Sequence, residues 1–411
     1  MNKKIGIIGG GAAGLMAAYA AAKEGASVTV FERNNRPARK VMITGKGRCN
    51  VTNNCDRDTF LLNVAHGSRF MYSAFSAFSC EDTMRFFESK GVPLKTERGN
   101  RVFPVSDKAV DIVDALSNVT KLNNVTIINS RVAHITWEDG IATGLITQDG
   151  TEYFFDSIIL ATGGKSYPVT GSTGDGYIMA EKLGHKITGL RPSLVPLVCH
   201  QGFCSYLCGL SLKNVSLSIY EEGKKKPIYT ELGEMMFTDF GITGPLVLSA
   251  SAHIEKIDEK KYTAIIDLKP ALTREMLDKR ILRDFHDESN KDFGNSLDKL
   301  LPQRLVSVIV KNSGIDPKKK VNNITREERE NLVNALKNLK LDITGFRPIE
   351  EAVVTSGGID LKEISPSTME SKLVKGLYFA GEIMNIDAYT GGFNLQIAFS
   401  TGYLAGKSAA L

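Results

Sequence analysis

Lys3-Lys4-Ile5-Gly6-Ile7-Ile8-Gly9-Gly10-Gly11-Ala12-Ala13-Gly14, continued by Ser27-Val28-Thr29-Val30-Phe31-Glu32, is the stretch whose reading decides the fold. Lys3–Ile8 reads as a short buried strand. Ala12–Glu24 is alanine-rich and reads as a helix, with Gly25 just past its end. Ser27–Phe31 is a second strand by its β-branched content. Together they make a βαβ unit of about thirty residues. The G-x-G-x-x-G lies where strand meets helix, the context that gives this pattern its meaning. Gly9 permits the tight turn, Gly11 lets the backbone approach a pyrophosphate, and Gly14 lets the helix pack closely on the strand. The helix N-terminus offers N–H groups and a positive dipole to phosphate. Glu32 stands where a carboxylate accepts hydrogen bonds from an adenosine ribose and repels a 2′-phosphate, which selects FAD or NAD over NADP.

Working outward, three further motifs join this unit. Ser157–Ala161 is an apolar strand running into Thr162-Gly163-Gly164. Gly171-Ser172-Thr173-Gly174-Asp175-Gly176 follows, with Asp175 placed to cap a helix from Tyr177. Near the other end, strand Leu377–Ala380 runs into Gly381-Glu382. Asp387 and Gly391-Gly392-Phe393-Asn394-Leu395-Gln396 come next, opening a final helix, Gly392–Ala405. A second strand-to-helix junction suggests a ligand longer than ADP-ribose, with another polar end. The isoalloxazine edge of FAD is such an end, and a helix N-terminus stabilises negative charge there. Asp387 suits the ribityl or pyrophosphate region. Thr44-Gly45-Lys46-Gly47-Arg48-Cys49-Asn50-Val51-Thr52-Asn53 reads as a ligand-wrapping loop. With Arg39 and Lys40 it adds positive charge along the pyrophosphate path.

The 411 residues suffice for two or three domains. Apolar residues at 42% and charged residues at 24% are ordinary for a globular protein. The net charge of +5 is too mild for a dedicated nucleic-acid face and points to anionic small ligands. The six cysteines form no C-x-x-C pair, which leaves out the usual zinc and thioredoxin spacings and fits a reducing cytosol. No His, Cys and acid cluster has metal-ligand spacing, so no metal is expected. No apolar run reaches the length of a signal peptide or a membrane span. A cytoplasmic protein is the expectation.

Glu81–Lys90 and Asp107–Lys121 read as helices. Val125–Ser130, Arg131–Trp137, Ala142–Thr147 and Glu152–Phe155 read as strands. The texture changes near Arg191. Val195–Cys199, Asn214–Tyr220, Lys226–Thr230 and Tyr262–Leu268 form a β-rich stretch, and Thr273–Asn338 is helical, with a capping box at Thr325 and Glu328. The expected organisation is a discontinuous FAD domain, 1–190 plus 341–411, interrupted by a β-rich domain, 191–270, and a helical subdomain, 271–340.

These motifs, with Arg101-Val102-Phe103-Pro104, Phe237-Thr238-Asp239-Phe240-Gly241-Ile242-Thr243-Gly244-Pro245 and Thr355-Ser356-Gly357-Gly358, make the chain resemble the BaiN-like family of NAD(P)/FAD-dependent oxidoreductases, which includes aminoacetone-oxidase-like flavoproteins. The resemblance runs almost end to end. It implies an α/β fold: a glutathione-reductase-like Rossmann domain for FAD, an inserted β-barrel-like domain and a small helical domain. The residues expected to contact FAD are Gly9, Gly11, Ala12, Ala13, Gly14, Glu32, Arg33, Arg39, Lys40, Gly47, Arg48, Cys49, Asn50, Val132, Ala161, Thr162, Gly163, Gly381, Glu382, Asp387, Gly391, Gly392, Phe393 and Asn394. The activity implied is hydride transfer through flavin N5, with NAD(P)H as a transient donor and an activated C=C bond of a steroid-like enone as acceptor. A flavin amine oxidase and a flavin-bearing RNA-modification or regulatory protein are the alternatives. Arg48, Asn50 and Tyr389 are the side chains considered for catalysis. A small-molecule substrate is expected, with neither membrane nor nucleic acid as partner.

Overall fold

The computed structural model describes residues 2–411. Contacts divide the chain into two compact units. The first runs up to Ser193 and resumes at Pro348–Leu411; the second is Leu194–Arg347.

The first unit is built on a five-stranded parallel sheet. Its order is Leu377–Phe379, Ser157–Leu160, Lys4–Ile8, Ser27–Phe31, Val125–Ile128. Ile5, Ile7, Ile158, Ile159 and Leu160 are fully buried. This is the pattern of parallel strands covered on both faces. The N-terminal helix, Ala12–Lys23, packs along the C-terminal helix, Phe393–Ala410. Small residues make that approach close. A Cβ added at Gly402 would fall 2.3 Å from the Ala13 carbonyl oxygen, and one at Gly406 would fall 2.1 Å from that of Ala17. Two helix N-termini are thereby fixed on one scaffold. Val132–Glu138, Ile141–Thr147 and Glu152–Phe154 form a separate antiparallel sheet. Ile187–Ser193 pairs with Val354–Ile359. Arg191–Ser193 therefore belong to the first unit, not to the β-rich stretch where the sequence placed them.

The second unit is a closed six-stranded barrel: Leu197–Cys199, Gly241–Thr243, Tyr229–Phe237, Ser211–Glu221, Tyr262–Asp267 and Leu339–Phe346. Helices Arg274–Asp287, Gln303–Ser313 and Arg326–Lys337 share its core: Leu277, Ile281 and Leu332 cluster with Leu217, Ile219 and Ile266. The capping box at Thr325 and Glu328 is present. Leu339–Phe346 corrects the reading that the flavin domain resumes at 341. Its alternating burial makes it a barrel strand, paired with Tyr262–Asp267 and Leu197–Cys199. Lys226 lies before, not within, the strand Tyr229–Phe237, because the hairpin register sets Ile219 opposite Tyr229.

Candidate functional site

The N-terminal helix opens onto a cleft in the first unit. Gly9, Gly11, Ala12 and Ala13 line it. Gly9 has φ +104°, and its N–H donates to the Phe31 carbonyl at 2.9 Å, tying the turn to the neighbouring strand. A Cβ there would lie 2.5 Å from the Ala161 carbonyl oxygen. A Cβ on Gly11 would meet nothing within 4 Å, so its missing side chain leaves open space on the cleft side. The helix has no side-chain cap and no acidic residue in its first turn. Its first N–H groups lack intrahelical partners and no acid of its own first turn competes for them, the arrangement that binds a phosphate.

Glu32 closes one end of the cleft and is only 7% exposed. Its Oε2 accepts from the Gly10 N–H at 2.9 Å. Its Oε1 accepts from the Asn34 backbone N–H at 2.8 Å and from Asn34 Nδ2 at 2.7 Å. The carboxylate is thus held in one orientation, with lone pairs left for a ligand hydroxyl.

The facing wall is Ala161, Thr162 and Gly163, followed by Thr170 to Asp175. Thr162 Oγ1 is buried without a hydrogen-bond partner, an orphan that a polar ligand atom would satisfy. Asp175 is not the side-chain cap its position suggested. The helix begins at Asp175 itself, with left-handed Gly174 before it. Its carboxylate instead accepts from Arg33, Arg131 and Thr173. Lys40 also lines the cleft but is not a free cation. Its Nζ donates to Glu382 Oε2 at 2.7 Å and to Ser166 Oγ at 2.6 Å. The Lys40 charge expected on the pyrophosphate path is therefore balanced within the wall, while Arg39, also on the lining, donates to the Asn34 amide oxygen.

Of the residues expected at a cofactor, the cleft brings together Gly9, Gly11, Ala12, Ala13, Glu32, Arg33, Arg39, Lys40, Val132, Ala161, Thr162, Gly163, Glu382 and Asn394. Gly14 lies behind it; a Cβ there would sit 1.9 Å from the Gly9 carbonyl oxygen. Gly47, Arg48, Cys49, Asn50, Gly381, Asp387, Gly391, Gly392 and Phe393 are off its lining. Arg48 donates to Asp107 through Nε at 2.9 Å, pairs with Glu97 and lies over the Phe103 ring. Burial pushes the Cys49 thiol up to about 12, which keeps it protonated and unreactive. Asn50 Oδ1 is a second buried orphan. Asp387, fully buried, accepts from Ser193 Oγ at 2.9 Å and Ser356 Oγ at 3.1 Å, and pairs with His66 Nδ1 at 2.6 Å. Those three groups hold the carboxylate that the sequence assigned to the ribityl or pyrophosphate region. Gly392 and Gly381 are needed for packing: added Cβ atoms would lie 2.3 Å from the Thr52 carbonyl oxygen and 2.8 Å from Ala13 Cβ.

The sequence reading missed Asn34, Arg131 and Val354, all on the cleft, whereas Thr173 and Leu395 lie within motifs it singled out. Asn34 carried a local signal, since an Asn two residues after an acid can hydrogen-bond back to it. Arg131 and Val354 carried none, because they arrive from distant segments. Among the described residues no group of three or more His, Cys, Asp or Glu is placed to hold a metal, and no helix is long and apolar enough to cross a membrane.

A glycine-cleared approach to an uncapped helix end, a fixed ribose-type acid and an orphaned hydroxyl fit a dinucleotide such as FAD. The HI0933-like protein Rossmann domain matches residues 3–408. The chain belongs to this family. Its members and relatives are FAD-dependent oxidoreductases, and so is this protein. The chain is 31% identical to a 3-dehydro-bile acid delta(4,6)-reductase of Clostridium scindens, over 100% of this chain and 99% of that protein. It is 31% identical to a ribosomal RNA dihydrouridine synthase of Haemophilus influenzae, over 98% of this chain and 97% of that one. Among solved structures, the 3-ketosteroid-delta4-(5alpha)-dehydrogenase of Rhodococcus jostii RHA1 shares the fold. The TM-score is 0.52 and the identity 16%, over 100% of this chain and 97% of that one.

Proposed function

We propose that this HI0933-like protein uses FAD to saturate a carbon–carbon double bond conjugated to a carbonyl. The carrying observation is the pair of whole-length relatives at equal identity, one named a delta(4,6)-reductase and the other a dihydrouridine synthase. Chemically, both names denote reduction of such a bond, in a steroid ring or in a uracil ring. A steroid-like enone is the first substrate class. A uracil ring in RNA is the second reading. The Haemophilus relative favours it and weighs against the expectation that nucleic acid is no partner, and the net charge of +5 is compatible with it.

Bound in the cleft, the flavin supplies hydride transfer at N5. The chain's own residues bind and orient it. Gly9 and Gly11 admit the pyrophosphate to the N-terminal helix, Glu32 accepts ribose hydroxyls, and Thr162 Oγ1 gains its missing partner. The Lys40–Glu382 pair provides a polar wall without net charge. Asn50, with its orphaned Oδ1, is proposed to face the ligand. Tyr389 is the proposed proton donor, carried by its place in the chain next to Asp387–Ala388; burial and then the charge of Asp387 raise its phenol above the ordinary 10, so it is protonated at neutral pH but a weaker acid than a free tyrosine. Arg48, engaged by two carboxylates, shapes its loop instead of carrying chemistry. With one dinucleotide fingerprint in the chain, NAD(P)H is proposed to donate as a visitor.

The test is anaerobic mixing of purified yellow protein. NADH or NADPH is expected to bleach the flavin. A 3-keto-4-ene steroid or uridine-containing ribosomal RNA is then expected to restore its colour and gain two hydrogens. Bleaching by an amine, with no response to either nicotinamide, would establish an amine oxidase and end the reductase reading.

A further inference from the structure

The segment 167–175 crosses the edge of the cleft on an unusual backbone. Tyr167, Gly171 and Gly174 all have positive φ, at 52°, 107° and 85°. From Thr170 to Thr173 its backbone N–H groups donate only within the segment itself, to Tyr167, Pro168 and Gly171. The Tyr167 N–H donates outward to the Glu350 carbonyl at 3.2 Å, and the remaining ties are side-chain ones, among them Asp175 with Arg33 and Arg131. Asn34 Nδ2 donates to the Thr170 carbonyl at 3.1 Å, and Arg33 Nη1 donates to Thr173 Oγ1 at 2.8 Å. The fit is tight, since a Cβ on Gly171 would lie 2.5 Å from Asn34 Nδ2. The same Asn34 donates twice to Glu32 Oε1, and its own Oδ1 accepts from Arg39. One amide therefore joins the ribose-type acid to the segment that covers it.

We propose that Asn34 is a positioning residue that makes cofactor capture and closure of the 167–175 strap a single event. A ribose hydroxyl donating to Glu32 adds to a carboxylate that Gly10 and Asn34 already orient, and the same Asn34 amide holds Thr170. A strap held by a few partly exposed hydrogen bonds opens cheaply when that amide is gone. The proposal rests on FAD occupying the cleft.

The experiment compares wild type with Asn34→Ala, following FAD release by the rise in free flavin fluorescence and hydrogen–deuterium exchange peptide by peptide. In wild type, FAD is expected to protect 167–175. In Asn34→Ala, release is expected to quicken about tenfold or more, the scale of losing hydrogen bonds to a charged group, and exchange in 167–175 is expected to stay at the apoprotein level while exchange in the barrel unit is unchanged. Release at the wild-type rate overturns the proposal. So does faster release with 167–175 still protected, which would mean Asn34 acts on Glu32 alone. If Asn34→Ala does not fold, Thr173→Val removes another of the strap's ties, the bond from Arg33, and is expected to act in the same direction. A wild-type protein that cannot be loaded with FAD refutes the cofactor assignment itself, a result distinct from failure of the coupling.

Discussion

The N-terminal and C-terminal helices of the first unit both start after paired glycines at the end of a buried strand, but those glycines answer to different neighbours. Gly11 has an ordinary φ of −82°, and nothing lies within 4 Å of where its side chain would be. Gly392 has φ +97°, and its absent side chain would strike the Thr52 backbone at 2.3 Å. The first glycine is kept clear for something outside the protein. The second is required by the protein itself. Two similar sequence signals thus differ in what their glycines face: open cleft space at Gly11 and the Thr52 backbone at Gly392.

The largest effect that tests this contrast is Gly392→Ala. Strained φ and a backbone clash together are expected to destabilise the first unit by about 4 kcal/mol, read from denaturant midpoints. A loss below about 1 kcal/mol would erase the distinction. Gly11→Ala is expected to do the reverse. Stability should change by under about 1 kcal/mol, while FAD affinity falls about 100-fold, or about 2.7 kcal/mol, measured by titrating the apoprotein. Unchanged affinity would mean the open space at Gly11 is not where the pyrophosphate lies.

Arg48→Ala sharpens the comparison from the neighbouring loop. Its ion pairs are part-exposed, at 35% for the arginine side chain, so about 1 kcal/mol or less of stability is at stake. FAD retention should match wild type, and rapid loss of flavin would return Arg48 to the cofactor. The smallest effect concerns the edge strand Leu377–Phe379, where the His185 ring meets Phe379 edge-on. Burial lowers the His185 pKa below its ordinary 6.5, against an opposing pull from Glu363. The unfolded chain therefore binds a proton that the folded one refuses. Stability should be complete above about pH 6.5 and decline as pH falls below it. Melts across pH 5 to 8 are expected to show this slope, and His185→Gln to flatten it.

Much of the fold was legible because local signals and tertiary need coincide. The βαβ unit, the apolar Ser157–Leu160 strand and the capping box at Thr325 obey periodicities set within a few residues. The strand Leu339–Phe346 was misplaced because it follows a helix directly, and its alternation gains meaning only from barrel partners far away in sequence. The protein partners of Asp387 were hidden for a related reason. A carboxylate between two glycine motifs looks available for a ligand until His66, Ser193 and Ser356 are seen around it.

By itself, then, the sequence determined the dinucleotide-binding unit. Glycine spacing, a helix start and an acid at the end of the next strand impose their geometry locally through backbone sterics and hydrogen bonding. Only the tertiary structure decided which polar groups remain open to a ligand. That depends on which distant side chains reach them first: Asp387 and Arg48 are already engaged, while Thr162 Oγ1 and the N-terminal helix end are left without a partner. Burial makes an unsatisfied group costly, so where the fold leaves one beside a cleft, the missing partner is expected from the ligand.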